Sequence, residues 1–336
     1  MKLSESLRKN IMDVTVGRIV NTFKARPRRY VLFFEDILAS YIKECEMAGH
    51  GKETREIAKN LMGMVVFSIT PPLLRKLPLI LLLKTAKRMW TNIGALDDLK
   101  VIKKDNTLTI ETKKEFLSRI IGENEFCPGL FEGGLSSLSD SQIQCIQKTQ
   151  TEDTCKYVFM LNKGSYKPPE CKPKNVYNTL NNFPKSRGFE FKEAIRKGIF
   201  IIKPNNRISF REKILIPVEN TLFHLISNSQ LLTDKIPHIS YNFFKDIIDE
   251  NASKEAKLIL LKNVLQVTGW GIVNTEIKRN RILMSIKNIP YGLQIERDNW
   301  DFITRIILGY LWNIDDYSIE NTGLSNRILK IHYTKN

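Results

Sequence analysis

No run in this sequence is apolar for long enough to cross a membrane as a helix, which takes roughly 20 consecutive residues. The richest stretch, Leu77-Pro78-Leu79-Ile80-Leu81-Leu82-Leu83, is broken by Pro78 and flanked by Arg75, Lys76, Lys84, Lys87 and Arg88. Residues 1–20 carry charges throughout and have no compact apolar core, so no secretory signal is expected and the chain reads as cytoplasmic. Cysteine is scarce: five residues, an odd number, which argues for thiols or a metal site before a disulfide framework. The four histidines, His50, His224, His238 and His332, are scattered, with neither a Ser/His/Asp order nor a His-Glu-x-x-His pair, so a nucleophilic or zinc hydrolase is not expected. Glycine-rich phosphate loops between parallel strands are missing too, which excludes Rossmann and P-loop architectures.

What is present fits a soluble globular chain. At 336 residues, 42% hydrophobic and 26% charged, it can bury two cores of ordinary size. The formal charge of +16 is the compositional outlier, and it would attract nucleic acid, acidic lipid or an acidic partner. Basic clusters stand at Lys24-Ala25-Arg26-Pro27-Arg28-Arg29, at 167–174 and at Lys278-Arg279-Asn280-Arg281. Without a helix-turn-helix or interleaved stacking aromatics, each reads first as a solvated turn.

The chain repeats itself. Placing Gly94 over Gly269 without a gap sets Leu108-Thr109-Ile110 on Leu283-Met284-Ser285, Phe126-Cys127 on Asp301-Phe302, Gly134 on Gly309 and Asp140 on Asp315. Upstream, Arg29-Tyr30-Val31-Leu32-Phe33-Phe34 parallels Arg211-Glu212-Lys213-Ile214-Leu215-Ile216, each a basic residue leading into an apolar strand. A helix follows each strand. In the first copy Ile37, Leu38, Tyr41, Ile42 and Cys45 recur at helical spacing up to Gly49. In the second, Pro217 takes the first helical position, with Val218, Leu222, Leu225 and Ile226 as the apolar stripe. The alternation over 100–111 and 275–287 predicts half-buried antiparallel strands. The expected organisation is an N-terminal amphipathic helix over 1–25, a first domain over 26–161, a Pro/Lys-rich linker over 162–188 and a second domain over 189–336. The apolar stretch 71–83 reads as a buried helix roofing a pocket.

The residues that carry a family likeness are Ile93-Gly94, Cys127-Pro128-Gly129-Leu130-Phe131-Glu132-Gly133-Gly134, and Ile143-Gln144-Cys145 through Cys155-Lys156-Tyr157-Val158-Phe159. In the second copy they are Gly269-Trp270-Gly271, Asn288-Ile289-Pro290-Tyr291, the segment 302–309 and Tyr317-Ser318-Ile319-Glu320. This pattern resembles the 4-vinyl reductase, or hydrocarbon-binding, domain of the archaeal type, in tandem. The resemblance implies an α+β fold of two repeated domains, each a curved, mainly antiparallel sheet packed on helices, as in the nitric-oxide sensors. It also implies a pocket for apolar or aromatic ligands between helices and sheet. Many members close with a Glu, a Cys three residues on and another Cys about eight further, which help bind zinc. Here Glu320 is followed by Gly323 and no later cysteine, while in the first copy Cys145 overlies Glu320 and Lys148 takes the next ligand position.

Two candidate sites follow. Trp90, Phe126, Leu130 and Phe131 in the first copy, and Trp270, Trp300, Phe302 and Ile306 in the second, are the candidate pocket; ordinary core aromatics are the competing reading. Cys127, Cys145 and Cys155, with Cys171 reaching over from the linker, are candidate zinc ligands. No close CxxC pair supports them, so buried thiols are the simpler reading. The expected function is binding of a small apolar or aromatic molecule as a sensor, carrier or accessory protein without chemistry of its own, acting through a protein partner or as a homodimer. The alternatives are a basic nucleic-acid-associated protein and an accessory subunit of a reductase.

Overall fold

The computed structural model describes residues 12–15, 18–21, 28–71, 73–162, 164–169, 189–290, 299–326 and 328–336. Within them the chain is α+β, with ten α-helices and three antiparallel sheets of six, four and four strands. No helix among the described residues is long and apolar enough to cross a membrane. Most of the linker, 170–188, lies outside the described residues.

Where a helix was expected before residue 26, the chain instead forms β1 (Met12–Thr15) and β2 (Arg18–Asn21), paired with each other and then with β3 (Arg28–Phe34). The short apolar run there fits either period, and pairing onto an open sheet edge decides it. After β3, α1 (Glu35–Met47) buries Ile37, Leu38, Tyr41, Ile42 and Cys45 as its spacing predicts, and ends at Gly49, whose φ of +84° lets the chain turn. Next come α2 (Gly51–Ile69), α3 (Leu79–Asn92), the hairpin β4 (Asp98–Lys104) and β5 (Thr107–Lys113), the single turn α4 (Ser118–Ile121), α5 (Phe126–Ser139), and β6 (Gln142–Gln150) with β7 (Thr154–Asn162).

The later part runs α6 (Phe191–Arg196), β8 (Phe200–Ile202), β9 (Ile208–Phe210), β10 (Lys213–Glu219), α7 (Thr221–Ser229), α8 (Ile236–Lys245), α9 (Lys254–Val267), β11 (Ile272–Lys278), β12 (Arg281–Lys287), α10 (Asp301–Leu311), β13 (Tyr317–Ser325) and β14 (Ile328–Lys335). Pro217 and Val218 therefore belong to strand β10, and the helix starts four residues later than the proline suggested. Pro217 is tolerated because it lies past the last β9 pair, Leu215 with Ile208, and opposite Leu32. Leu32 turns its N–H the other way, to the Thr268 carbonyl at 2.8 Å, so this pair needs no hydrogen bond from the proline. The stretch 71–83 is not a buried helix either. Proline divides it into a 3₁₀ turn at Leu74–Lys76 and the start of α3, leaving Leu73, Leu74, Leu77 and Leu81 exposed and burying Leu83.

The two four-stranded sheets have the same order, β4-β5-β7-β6 and β11-β12-β14-β13. Their registers superimpose at a constant displacement of 174 residues: the pair Asp98/Lys113 falls on Ile272/Lys287, and Cys145/Phe159 on Ile319/Tyr333. Both break register at the same place, beside Ile146 and beside Glu320. Glu320 thus corresponds to Ile146, not to Cys145. The ungapped match at 175 is one residue off throughout these strands, and one residue in a strand exchanges the two faces. The displacement of 175 does hold at the preceding helix ends. There the cap bonds Ala95 N–H to Trp90 O and Trp270 N–H to Leu265 O are both 3.0 Å. The second part therefore has one residue fewer between helix and hairpin.

The six-stranded sheet, β1-β2-β3-β10-β9-β8, joins strands from both expected domains through β3 and β10, so its strands do not divide at the linker. On the other face, α5 lies against α2 at glycine contact distance. A Cβ on Gly133 would stand 2.0 Å from the Lys59 carbonyl oxygen, and one on Gly129 2.2 Å from that of Arg55. In the later part a Cβ on Gly309 of α10 would likewise stand 2.1 Å from the Pro237 carbonyl oxygen of α8. Arg55 then ties the pair to the sheet, binding Glu132 at 2.5 Å and Glu125 at 2.9 Å, while Glu132 accepts the Cys145 N–H at 2.6 Å. Gly133→Ala is expected to cost about 1–3 kcal/mol by forcing the helices apart. Gly122→Ala, at a positive φ with open space around it, should cost less, about 1 kcal/mol. Urea denaturation of both variants checks the order.

Candidate functional site

The packing of α2, α3 and α5 over the β3–β10 pair leaves a cavity of ≈ 230 Å³. Its wall is almost wholly apolar. Trp90 comes from α3, Phe126, Leu130 and Phe131 from α5, Leu61 and Met62 from α2, and Leu32, Ile216 and Val218 from the six-stranded sheet. Each helix contributes one face by its own periodicity, and Trp90 stands edge-on to Phe131 with ring centres 5.0 Å apart. Such a concave apolar wall with a few polar groups is the usual form of a small-molecule site. Its ionisable members are Tyr30, Glu115, Glu219 and Cys127.

Glu115 sits in a strained turn. Just past β5, Lys114 has φ +47°, and Leu117 has φ +60° and ψ −57°. Ser118 closes a three-residue turn by donating to the Phe116 carbonyl at 2.8 Å, a conformation that non-glycine residues rarely adopt. The turn is held from outside. Buried Glu35, the first residue of α1, accepts the Leu117 N–H at 2.9 Å and pairs with Arg119, which also donates to the carbonyls of Gly94 at 3.1 Å and Lys114 at 3.0 Å. Within this frame the Glu115 carboxyl accepts from Tyr157 at 2.6 Å, Thr112 at 2.7 Å and Ser118 at 3.2 Å. These partners are hydroxyls, not cations. Burial pushes the carboxyl above the usual glutamate range against the pull of those hydroxyls. Burial also pushes Tyr157 and Cys127 well above their ordinary values, with Glu115 as the next cause for each.

The later part has the same frame with a different filling. At the common displacement, Thr112, Glu115 and Tyr157 correspond to Ile286, Ile289 and Ile331, all buried. Lys114 and Asn288, just before the Glu115 and Ile289 positions, share the positive φ. Aligning α5 and α10 on Gly133 and Gly309 sets Cys127 on Ile303 and Phe126 on Phe302. Ala95, which lines the cavity, corresponds through its cap bond to Trp270. Trp270 packs with Phe223 at 5.1 Å and Phe33 at 6.4 Å, and Phe302 stacks on Phe223 at 5.1 Å.

Of the eight expected pocket residues, Trp90, Phe126, Leu130 and Phe131 line the cavity. Trp270 and Phe302 belong to the solid aromatic cluster, Trp300 stands edge-on to buried His224 at 4.5 Å, and Ile306 is core. None of these four lines the cavity; they lie in the later part, where Trp270 takes the position corresponding to Ala95. Sequence reasoning missed Glu115, Phe116, Ala95 and the β10 residues. Glu115 has no spacing signal, and at the end of β10 Pro217 and Val218 carry the signal of a helix start. The expected thiol cluster does not form among the described residues, and no group of three or more metal-binding side chains occurs there. Cys145 faces Phe159, four residues along β7 from Cys155, which separates the two thiols by roughly 13 Å. Their sulfurs and that of Cys127 approach separate backbone carbonyls, those of Gln147, Thr151 and Phe116. Burial pushes the Cys145 thiol up to about 11. Cys171 lies outside the described residues.

The raised Glu115 carboxyl makes stability depend on pH with a definite sign. Above about pH 4.3 the unfolded chain gives up this proton while the folded chain keeps it, so the contribution falls as pH rises through the window up to the folded value. Glu115→Gln removes that term. Its stability relative to the parent chain should improve between about pH 4 and about pH 7, read by urea denaturation at both; a difference independent of pH would count against a neutral buried acid.

Comparisons with protein-family models, with curated proteins and with solved structures return no match to this chain, so its reading rests on the geometry above.

Proposed function

We propose that the chain is a small-molecule-binding protein built from two diverged copies of a 4-vinyl-reductase-like domain. In this reading the first copy keeps an open site for an apolar or aromatic ligand and the second has lost it. The carrying observation is the contrast between corresponding positions: Ala95 beside an open cavity, Trp270 inside a packed cluster. A cavity of ≈ 230 Å³ that stays empty leaves its apolar wall without packing partners, and at the corresponding position Trp270 packs within an aromatic cluster. The volume suits a one- or two-ring molecule, since roughly 150 Å³ already holds benzene.

The site supports binding more directly than catalysis. Its wall offers one buried carboxyl among hydroxyls, and every described cysteine is pushed upward by burial, away from the reactive thiolate. A sensor, carrier or accessory role follows from the placement of the ligand. It would touch β3 and α5 on one side and β10 and α7, through Leu222, on the other. Such a ligand could favour one arrangement of the two halves over another.

Indole tests the reading by native mass spectrometry and thermal shift. The parent chain is expected to bind one equivalent and to gain about 2.7 kcal/mol at a hundredfold excess over Kd. Ala95→Trp, which copies the second half, should remain folded and bind at least tenfold more weakly. Indole binding that is undiminished in Ala95→Trp, or absent from the parent chain at millimolar concentration, would overturn the proposal.

A further inference from the structure

A carboxyl group in an apolar wall lowers stability unless something else requires it. The two halves let that cost be judged inside one chain. Thr112, Glu115 and Tyr157 are buried in the first sheet, and Ile286, Ile289 and Ile331 are buried at the same register positions in the second. A sheet of this order and register therefore forms around isoleucines alone, and the polar trio is not a requirement of the fold. It occurs in the half with the cavity, and Glu115 lines that cavity. The turn presenting it is strained at Leu117 and is braced by Glu35 and Arg119.

The hydrogen bonds indicate what this carboxyl offers. Oε1 accepts from both Tyr157 and Ser118, whereas Oε2 accepts from Thr112. With two hydroxyls donating to Oε1, the neutral acid carries its proton on Oε2, beside the Thr112 hydroxyl at 2.7 Å, and a ligand oxygen would take that donor in place of Thr112. Resting on the reading of the cavity as a binding site, we propose that Glu115 is its polar anchor. The ligand is an uncharged, mainly apolar molecule carrying one hydrogen-bond-accepting oxygen, of the class of aromatic ketones and aldehydes. Burial, which pushes this carboxyl upward, supports the neutral form. An anion would bring a second negative or acceptor-only group against the carboxyl and its three hydroxyl partners. An ammonium ion at Glu115 would require that acid ionised in its apolar surroundings, the half-buried Glu219 of the wall being engaged by the Thr221 N–H, and it would approach a chain of formal charge +16.

Four probes of similar size decide the matter: acetophenone, ethylbenzene, protonated 1-phenylethylamine and benzoate, each titrated against the intact chain by calorimetry or ligand-observed NMR. Acetophenone is expected to bind at least tenfold tighter than ethylbenzene, and both charged probes more weakly than either. Glu115→Ile, the residue found at position 289, should abolish the advantage of acetophenone over ethylbenzene, so that the two bind equally well. If that variant does not fold, the combined Thr112→Ile, Glu115→Ile and Tyr157→Ile change reproduces the second sheet's trio, and the ranking on the parent chain stands as a test by itself. Ethylbenzene binding with no advantage for acetophenone overturns the anchor while leaving the binding site intact. An ammonium or carboxylate probe in first place overturns the ligand class. Failure of ethylbenzene, acetophenone and indole alike overturns the site reading on which the anchor rests.

Discussion

Antiparallel pairing of β3 with β10 is the contact on which the rest of the molecule depends. Without it the chain would have two layered bodies, each with an exposed sheet edge, and an unpaired edge is an invitation to wrong pairing. With it, β1, β2 and β3 continue into β10, β9 and β8 as one sheet. The cavity floor exists because of this pairing: Leu32 on one strand and its direct partner Pro217 on the other both line the cavity. Leu32 reinforces the join by donating to Thr268 at the end of α9.

Above that floor, the space is set by how closely helices approach. Gly129 and Gly133 bring α5 against the backbone of α2, leaving Phe126, Leu130 and Phe131 to face inward. Gly309 does the same for α10 against α8. Close packing of interiors makes the difference between the halves a matter of single side chains. Ala95 and Trp270 follow the same helix-end hydrogen bond, and the larger of the two meets Phe33 and Phe223, which occupy the space between.

Much of the frame was legible. The α1 stripe ending at Gly49 is strongly periodic, and the antiparallel hairpins announced themselves by alternation. What failed did so for local reasons. A single deleted residue between Gly94 and the hairpin displaced the repeat by one, and apolar residues on both neighbouring positions, such as Ile282 and Leu283, disguised the slip. Pro217 carries a helix-start signal that the strand partner overrides, because its missing N–H falls past the end of β9. Half of the candidate pocket was legible because aromatic residues stand there in number. Glu115 was not, since its meaning depends on Tyr157 and Thr112, which reach it only after β5 and β7 pair.

The asymmetry between the halves also bears on how binding would be felt elsewhere. A ligand shifts an equilibrium only by its difference in affinity for two arrangements. A ligand lodged in one half alone would have no leverage on the other. Here the cavity wall spans the β3–β10 pair and reaches Leu222 of α7, whose neighbour Phe223 packs on Phe302 and Trp270. The solid cluster of the later half is close-packed and not compressible, so a displacement of β10 or α7 cannot be absorbed there as it can in a cavity. If the earlier half binds a ligand as proposed, the packed later half would be a stiff neighbour against which that occupancy is felt. Two open copies would lack that stiffness, and two filled copies would lack the site.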